Sequence, residues 1–472
     1  MSCTSASVSA RCGVALAMLW WLAVTWVQPA FGLPAFPGAE GFGAGATGGR
    51  GGRVIKVTNL GPSGPGSLQD AVEQIGPRIV VFAVSGEIVG DIVIRSGNLT
   101  VAGQTAPGGG ITISGRLWTA YKLGVDNIIL RHLRIRPRLF DGSVPGEEYD
   151  AIQFSLSRNF ILDHLSISWG VDETVDVYEA QDATLQWSAI EESATEGHPT
   201  EPHNFGLING TRGGRISVHH NIFAHHLNRS PALATGPADV VNNLDYDCEY
   251  GFVHHNPARG AFRIVGNYFR RGPSATPIPF RFDYEGDAGP GLAYYLADNC
   301  IDIPGVFSGV VQSPWEPSFF ATGLMYTKGS QFLTLSPPAP PEGIGYVPVT
   351  TTRCGDAVSQ VLSRAGAFPR DPVSRRTIEE AVARTGSWGR HAPVDLMAGL
   401  TPAAAPKDTD SDGIPDTWEL DHGLNPNSAA DQNQLMASGY TAIEEYINGL
   451  ADALTAAAPS VTLRSPPRLK QP

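Results

Sequence analysis

The chain is predicted to be all-β, a right-handed parallel β-helix with a small C-terminal EF-hand-like calcium loop. Three observations predict this. Short apolar segments recur between about residues 78 and 282, asparagines recur in step with them, and residues 408–419 spell an acidic loop with regular spacing. A repeat in the low twenties belongs to solenoids, in which each unit buries its apolar face only against its neighbours.

The repeated segment is visible at 98–102, 127–131, 159–163, 183–187, 215–219, 240–243 and 262–266. Leu162 to Leu185 and Val218 to Val241 are each 23 residues, and Val241 to Val265 is 24. Longer steps, such as 32 residues from Leu130 to Leu162, read as loops inserted on one side. Asn221, Asn243 and Asn267 fall 22 and 24 residues apart, which predicts a ladder of amides bonding from coil to coil. The right hand follows from the crossover preference of parallel strands. With 54 Gly and 37 Pro in 472 residues, turns are favoured over long helices.

Before the repeats, Arg11 precedes an apolar run over residues 13–27, followed by Ala30-Phe31-Gly32. This is the pattern of a secretory leader, so residues 1–32 are expected to be removed and the product to be secreted, extracellular and free of the membrane. Cys248, Cys300 and Cys354 then remain in an oxidising compartment, where one bridge at most can form. Cys300 with Cys354 is the expected pair, Cys248 being the alternative partner. A formal charge of −13 and the lack of a basic stripe argue against nucleic acid. The glycines of residues 36–52 read as tight turns rather than a phosphate cradle, since no Gly-Lys-Ser/Thr follows. Ser67 with Asp70 three residues on predicts a capped short helix that plugs one end of the solenoid.

The most informative stretch is 159–178, where an apolar strand leads into Asp172, Glu173 and Asp176. Residues four apart on a strand share a face, so Asp172 and Asp176 are expected to point together, with Asp150 added from the preceding run. Dispersed carboxylates suit calcium better than zinc, which takes His or Cys; a solvated acidic turn is the plain alternative. Adjacent histidines point to opposite faces of a strand, so His198, His203, His219, His220, His225 and His226 are read as buried or polar-lining rather than as a metal centre.

The boundaries expected are 33–335 for the solenoid, 336–400 for a Pro-rich connector and packing segment with a helix over 374–385, 401–454 for the calcium-loop segment, and 455–472 for a disordered tail. In the calcium loop, Asp408, Asp410, Asp412, Ile414, Asp416 and Glu419 occupy every EF-hand ligand position, with Gly413 at the sharp turn. An acidic turn is the alternative. The loop reads as structural, since nothing in it resembles a catalytic group.

Several motifs occur in a recognisable order: residues 36–53, Gly64-Pro65-Gly66-Ser67-Leu68, the VAGQTAPGGG of residues 101–110, and above all Phe160-Ile161-Leu162-Asp163-His164. Over roughly residues 36–282 the chain resembles the secreted parallel β-helix pectate lyases, polysaccharide lyase family 1. The resemblance implies a calcium-dependent lyase acting on polygalacturonate or a related uronan by β-elimination. Asp150, Asp172 and Asp176 match the family's calcium aspartates, with Glu148 and Glu173 as weaker candidates. Asp163-His164 resembles a structural pair buried against the calcium side, and Arg229 stands where the family has its base. Two family cations are missing: no lysine occurs in residues 201–206, and residues 232–235 lack the second arginine. His203, Arg212, Arg271 and Arg281 are the candidate replacements for holding substrate carboxylates. The partner implied is an acidic polysaccharide, bound by a monomer. The other readings are a β-helix hydrolase and a non-catalytic β-helix that binds acidic polysaccharide.

Overall fold

The computed structural model describes residues 1–2, 32–138, 148–282, 288–311, 314–315, 317–327, 330–339 and 345–463. The leader of residues 1–32 lies almost wholly outside the described residues. Met1–Phe31 and Gly32–Pro472 separate as two units, and the solenoid and its helices belong to the second. Among the described residues no helix is long and apolar enough to cross a membrane.

Three sheets of eleven, ten and nine strands wind as a right-handed parallel β-helix. Each coil visits them in a fixed order: Arg158–Asp163 lies in the first sheet, Ser166–Ile167 in the second, Glu173–Asp176 in the third. Among the described strands pairing is parallel except at the end of the second sheet, where Phe307–Val310 runs antiparallel to Cys300–Ile303.

The interior is filled by residues that stack in register. Ile128, Phe160, Ala183, Ile216, Ala238, Phe262 and Tyr294 form one column along the first sheet, and all lie in the main core cluster. Ala183 and Ala238 flank Ile216 in this column, so small residues make room for larger neighbours on adjacent coils. The register corrects one step of the predicted period. Val218 pairs with Val240 rather than Val241, a coil of 22 residues, as the asparagine spacing already indicated. Asn221, Asn243 and Asn267 do form the amide ladder, and Asn299 extends it, with side-chain bonds of 3.1, 3.1 and 3.0 Å.

The α-helices of the described residues lie around this solenoid. α1 (Leu68–Glu73) is capped by Ser67 and buries Leu68, Ala71 and Val72 in the core beside the first strands. α2 (Pro317–Phe320) is a single turn. α3 (Cys354–Arg364) and α4 (Pro372–Ala383) cover the outer face of the second sheet, packing Val358, Val361, Leu362, Ile378 and Ala381 on Ile222, Ala224, Leu244 and Tyr246. α4 was predicted and α3 was not. The Cys300–Cys354 disulfide joins the second sheet to α3, and Cys248 is buried and unbridged. Fully buried Arg136 ties the α4 entry to the solenoid through Asp371 (3.0 Å) and Glu191 (2.8 Å).

α5 (Asp416–His422) and α6 (Ala442–Ala456) belong to the C-terminal segment. The predicted disordered tail begins too early. α6 continues through Ala456, and Val461 and Leu463 bond to Ser363 and Ser359 of α3; residues 464–472 lie outside the described residues. The glycine-rich start lies against the first sheet. A Cβ on Gly43 would sit 2.1 Å from the Phe160 carbonyl oxygen, so only glycine allows this approach.

Candidate active site

The turns that lead from the second sheet to the third stack on successive coils. They comprise 168–172, 192–204, 225–231, 247–249 and 271–277, and the turn ending at Ala151 lies below them. Residues far apart in sequence are thereby brought to one edge of the solenoid.

Ile152 pairs with Val175, so Asp150 stands level with Glu173 on the neighbouring coil. The Glu173 amide donates to Asp150 Oδ1 at 2.8 Å, and carboxylate oxygens of Asp150, Asp172 and Glu173 lie within 4.8 Å of one another. Asp176 is not one of the three groups whose oxygens lie that close together, although its charge acts on Asp150. The strand begins only at Glu173, leaving Asp172 in the turn, yet the charges of Asp176 and Asp172 both act on Asp150 and that of Asp172 acts on Asp176. Asp176 pairs with Gln153 and accepts from Ser155 Oγ (2.7 Å) and the Tyr178 amide (2.5 Å).

Burial, then the charges of Asp176, Asp172 and Glu148, drive the Asp150 carboxyl well above the usual carboxylate range. Burial also pushes Asp176 to about 6, with Asp172 adding to it and hydrogen bonds from Ser155, Tyr178 and Gln153 opposing. An all-oxygen, crowded acidic donor set of this kind fits a hard cation such as calcium.

Arg229 reaches the cluster from the turn two coils on. Its backbone is left-handed (φ 65°), its side chain is 22% exposed, and Nη1 lies against Glu173 Oε1. Its guanidinium sits 4.3 Å from the centre of the Phe205 ring. Burial lowers the Arg229 pKa, while Asp172 and Asp150 oppose that shift. His203 stacks on Phe205 at 4.5 Å and on His198 at 3.7 Å, and its Nδ1 meets Asp172 Oδ1 at 2.5 Å. An aromatic wall therefore runs beside the acids.

The other candidates are dispersed. Arg271 opens the turn two coils beyond that of Arg229, about 10 Å along the axis. Arg281 lies in the third sheet over the Tyr250 ring at 4.7 Å. Arg212 is paired with Glu179 at 3.0 Å on the surface. Asp163 and His164 are not on the acidic side. They sit at the turn from the first to the second sheet, where Asp163 pairs with Arg131 at 2.8 Å and His164 stacks on His132 at 4.8 Å. His219 and His220 are buried at that same turn, and His225 and His226 are buried beneath the acidic edge.

In the C-terminal loop, Asp408, Asp410 and Asp412 come together, as do Asp412, Glu419 and Asp431. Asp416 faces away, held by Lys407 and Thr409 at 2.6 and 2.7 Å, and the Ile414 side chain is buried against the first sheet. Sequence reasoning missed Phe205 and Asp431 and gave no role at the acidic edge to His198. An aromatic residue two positions after His203 was a usable signal for Phe205; Asp431 has no local pattern that marks it.

No family profile matches the chain. Curated relatives do: it is 35% identical over 442 residues to a "Probable pectate lyase C" of Aspergillus fumigatus, covering 90% of this chain and 95% of the relative. It is likewise 35% identical over 427 residues to a "Probable pectate lyase C" of Aspergillus terreus, covering 89% and 94%. Among solved structures, a thermostable pectate lyase gives a TM-score of 0.47 at 15% identity, covering 70% of this chain and 97% of that one. On the identity and near-complete coverage of the curated relatives, the chain belongs to the pectate lyases, enzymes of the polysaccharide lyase class.

Proposed function

We propose that this protein is an exported, monomeric, calcium-dependent lyase that cleaves polygalacturonate or a related uronan by β-elimination. The observation that carries the reading is Arg229 packed against Glu173 at the edge of the Asp150, Asp172 and Glu173 cluster. Asp150, Asp172 and Glu173 would hold the calcium, with Asp176 adding its charge beside them. When bound, it offsets the repulsion between protein and sugar carboxylates and acidifies the proton at C5 of the uronate.

The residues of the chain divide the remaining work. Arg229, with its pKa lowered by burial, is positioned to take the C5 proton. The electron pair of that C–H bond becomes the C4–C5 double bond, and the C4–O bond breaks toward the departing sugar. That oxygen leaves with a proton from solvent, and the new non-reducing end is unsaturated. His203 and Phe205 form the wall against which a sugar ring lies. Arg271 and Arg281 supply positive charge on later coils of the same side, in place of the cations the family pattern leads one to expect.

The test is incubation of the purified protein with polygalacturonate, with calcium and with chelator. A calcium-dependent rise in ultraviolet absorbance from the new double bond is expected. New reducing ends without absorbance would make the protein a hydrolase, and retention of polymer without cleavage would make it a binding module.

A further inference from the structure

We infer that residues 408–431 form a second cation site, of calcium chemistry, completed by Asp431 rather than Asp416, which latches the C-terminal segment onto the first coils of the β-helix. The site is separate from the catalytic edge and does not depend on the proposed reaction.

Five carboxylates converge there, since Asp412 belongs both to the group with Asp408 and Asp410 and to the group with Glu419 and Asp431. Their burial is the second, independent observation. Glu419 is 0% exposed and both its carboxylate oxygens lack a hydrogen-bond partner; Asp412 is 2% exposed and its Oδ2 lacks one. Asp410 Oδ2 and Asp431 Oδ1 are buried and unpartnered as well. An ionised carboxylate withdrawn from water without donors is strongly destabilising, and here the penalty is repeated on adjacent groups. A cation among them removes it. All donors are oxygens, which selects a hard ion.

The neighbouring bonds show which aspartate is a ligand. Asp416 is turned outward and its carboxylate is already satisfied: it accepts from the Thr409 amide and hydroxyl, both at 2.7 Å, and from Lys407 at 2.6 Å. Asp431 takes one bond, from the Asn425 amide at 2.9 Å, and leaves its other oxygen aimed into the cluster. The cation therefore bridges the loop entering α5 to the loop that precedes α6.

Both partners of that bridge rest on the solenoid. Ile414, Leu424, Ile443 and Ile447 pack on Ile79, Val81 and Ala102 of the first sheet. Gly413 (φ +94°) comes so close that a Cβ would lie 2.7 Å from Val54 Cγ1. Lys56 pairs with Asp408 at 2.8 Å and Arg50 with Glu444 at 2.7 Å. Ordering the loop and docking the segment are thus one event, and cation release loosens both.

The test uses the full mature chain, with calcium ion as the probe, and compares Glu419→Gln, Asp431→Asn and Asp416→Asn. In wild type, calcium should slow hydrogen exchange at residues 53–57 and 443–447. Glu419→Gln and Asp431→Asn should abolish that protection and weaken calcium binding to this site about tenfold or more by calorimetry, while Asp416→Asn keeps both. In chelator, Glu419→Gln should melt no lower than wild type, because it removes a buried charge. Calcium-induced protection that survives in Glu419→Gln, or equal losses in Asp416→Asn and Asp431→Asn, would overturn the assignment. So would a Glu419→Gln variant that melts lower than wild type in chelator.

Discussion

The Glu173 amide donates to the Asp150 carboxylate at 2.8 Å across two adjacent coils, so the stack itself holds two of the acids at the acidic edge. Strand register sets their separation. Asn at position 150 keeps an oxygen for that amide and removes a charge. Asp150→Asn should therefore fold normally and need about tenfold more calcium for half-maximal turnover. A calcium titration of activity checks this, and an unchanged calcium requirement would remove Asp150 from the metal site.

Arg229→Lys keeps a positive charge but moves it and loses the planar group that lies over Phe205. Turnover should fall about 10³-fold, with the melting temperature and circular dichroism unchanged. Near-normal activity would exclude Arg229 as the base.

Buried His225 is held between Asp247 at 2.9 Å and Glu380 at 3.1 Å. Burial lowers its pKa, but the hydrogen bonds to those two acids, with the charges of Asp247 and Glu192, outweigh it and raise the group to about 9. Because the folded pKa lies above the unfolded value of about 6.5, the stabilisation is complete below about pH 6.5 and is lost as pH rises through 9. It amounts to roughly 3 kcal/mol. Urea midpoints measured from about pH 6 to 10 in excess calcium should decline in the wild type and much less in His225→Gln; parallel declines would assign the loss elsewhere.

Asn243 bonds to Asn221, Asn267 and the Val218 carbonyl inside the ladder. Asn243→Leu keeps the branching at Cγ but leaves buried donors and an acceptor without partners, at about 3 kcal/mol. Urea unfolding at fixed calcium measures it. A loss below about 1 kcal/mol would mean that the ladder contributes little to stability.

The solenoid was legible because its repeat is written directly in spacing: apolar segments and asparagines keep step even where hydrophobic counting slips by one residue, as at Val241. The acidic edge was partly legible. Asp150, Asp172 and Arg229 do come to one edge, Glu173 meets them more closely than Asp176 does, and the strand boundary at Glu173 decides which carboxylates stand nearest. Asp163 and His164 were assigned to the wrong corner because a local motif does not say which of three turns it occupies. Asp431 was invisible for a different reason, since only the docking of two loops on the first sheet brings it to the cluster. α3 went unseen because its apolar face is matched to Tyr246 and its neighbours, which are distant in sequence.

The reversed strand Phe307–Val310 bears on solubility. A parallel coil ends in a row of open amides and carbonyls, and another molecule's coil can dock there and polymerise end to end. Here the last coil of the second sheet is covered by a strand running the opposite way, so an incoming parallel strand meets the wrong bonding pattern. The second sheet thus ends on a strand that does not continue the parallel stack.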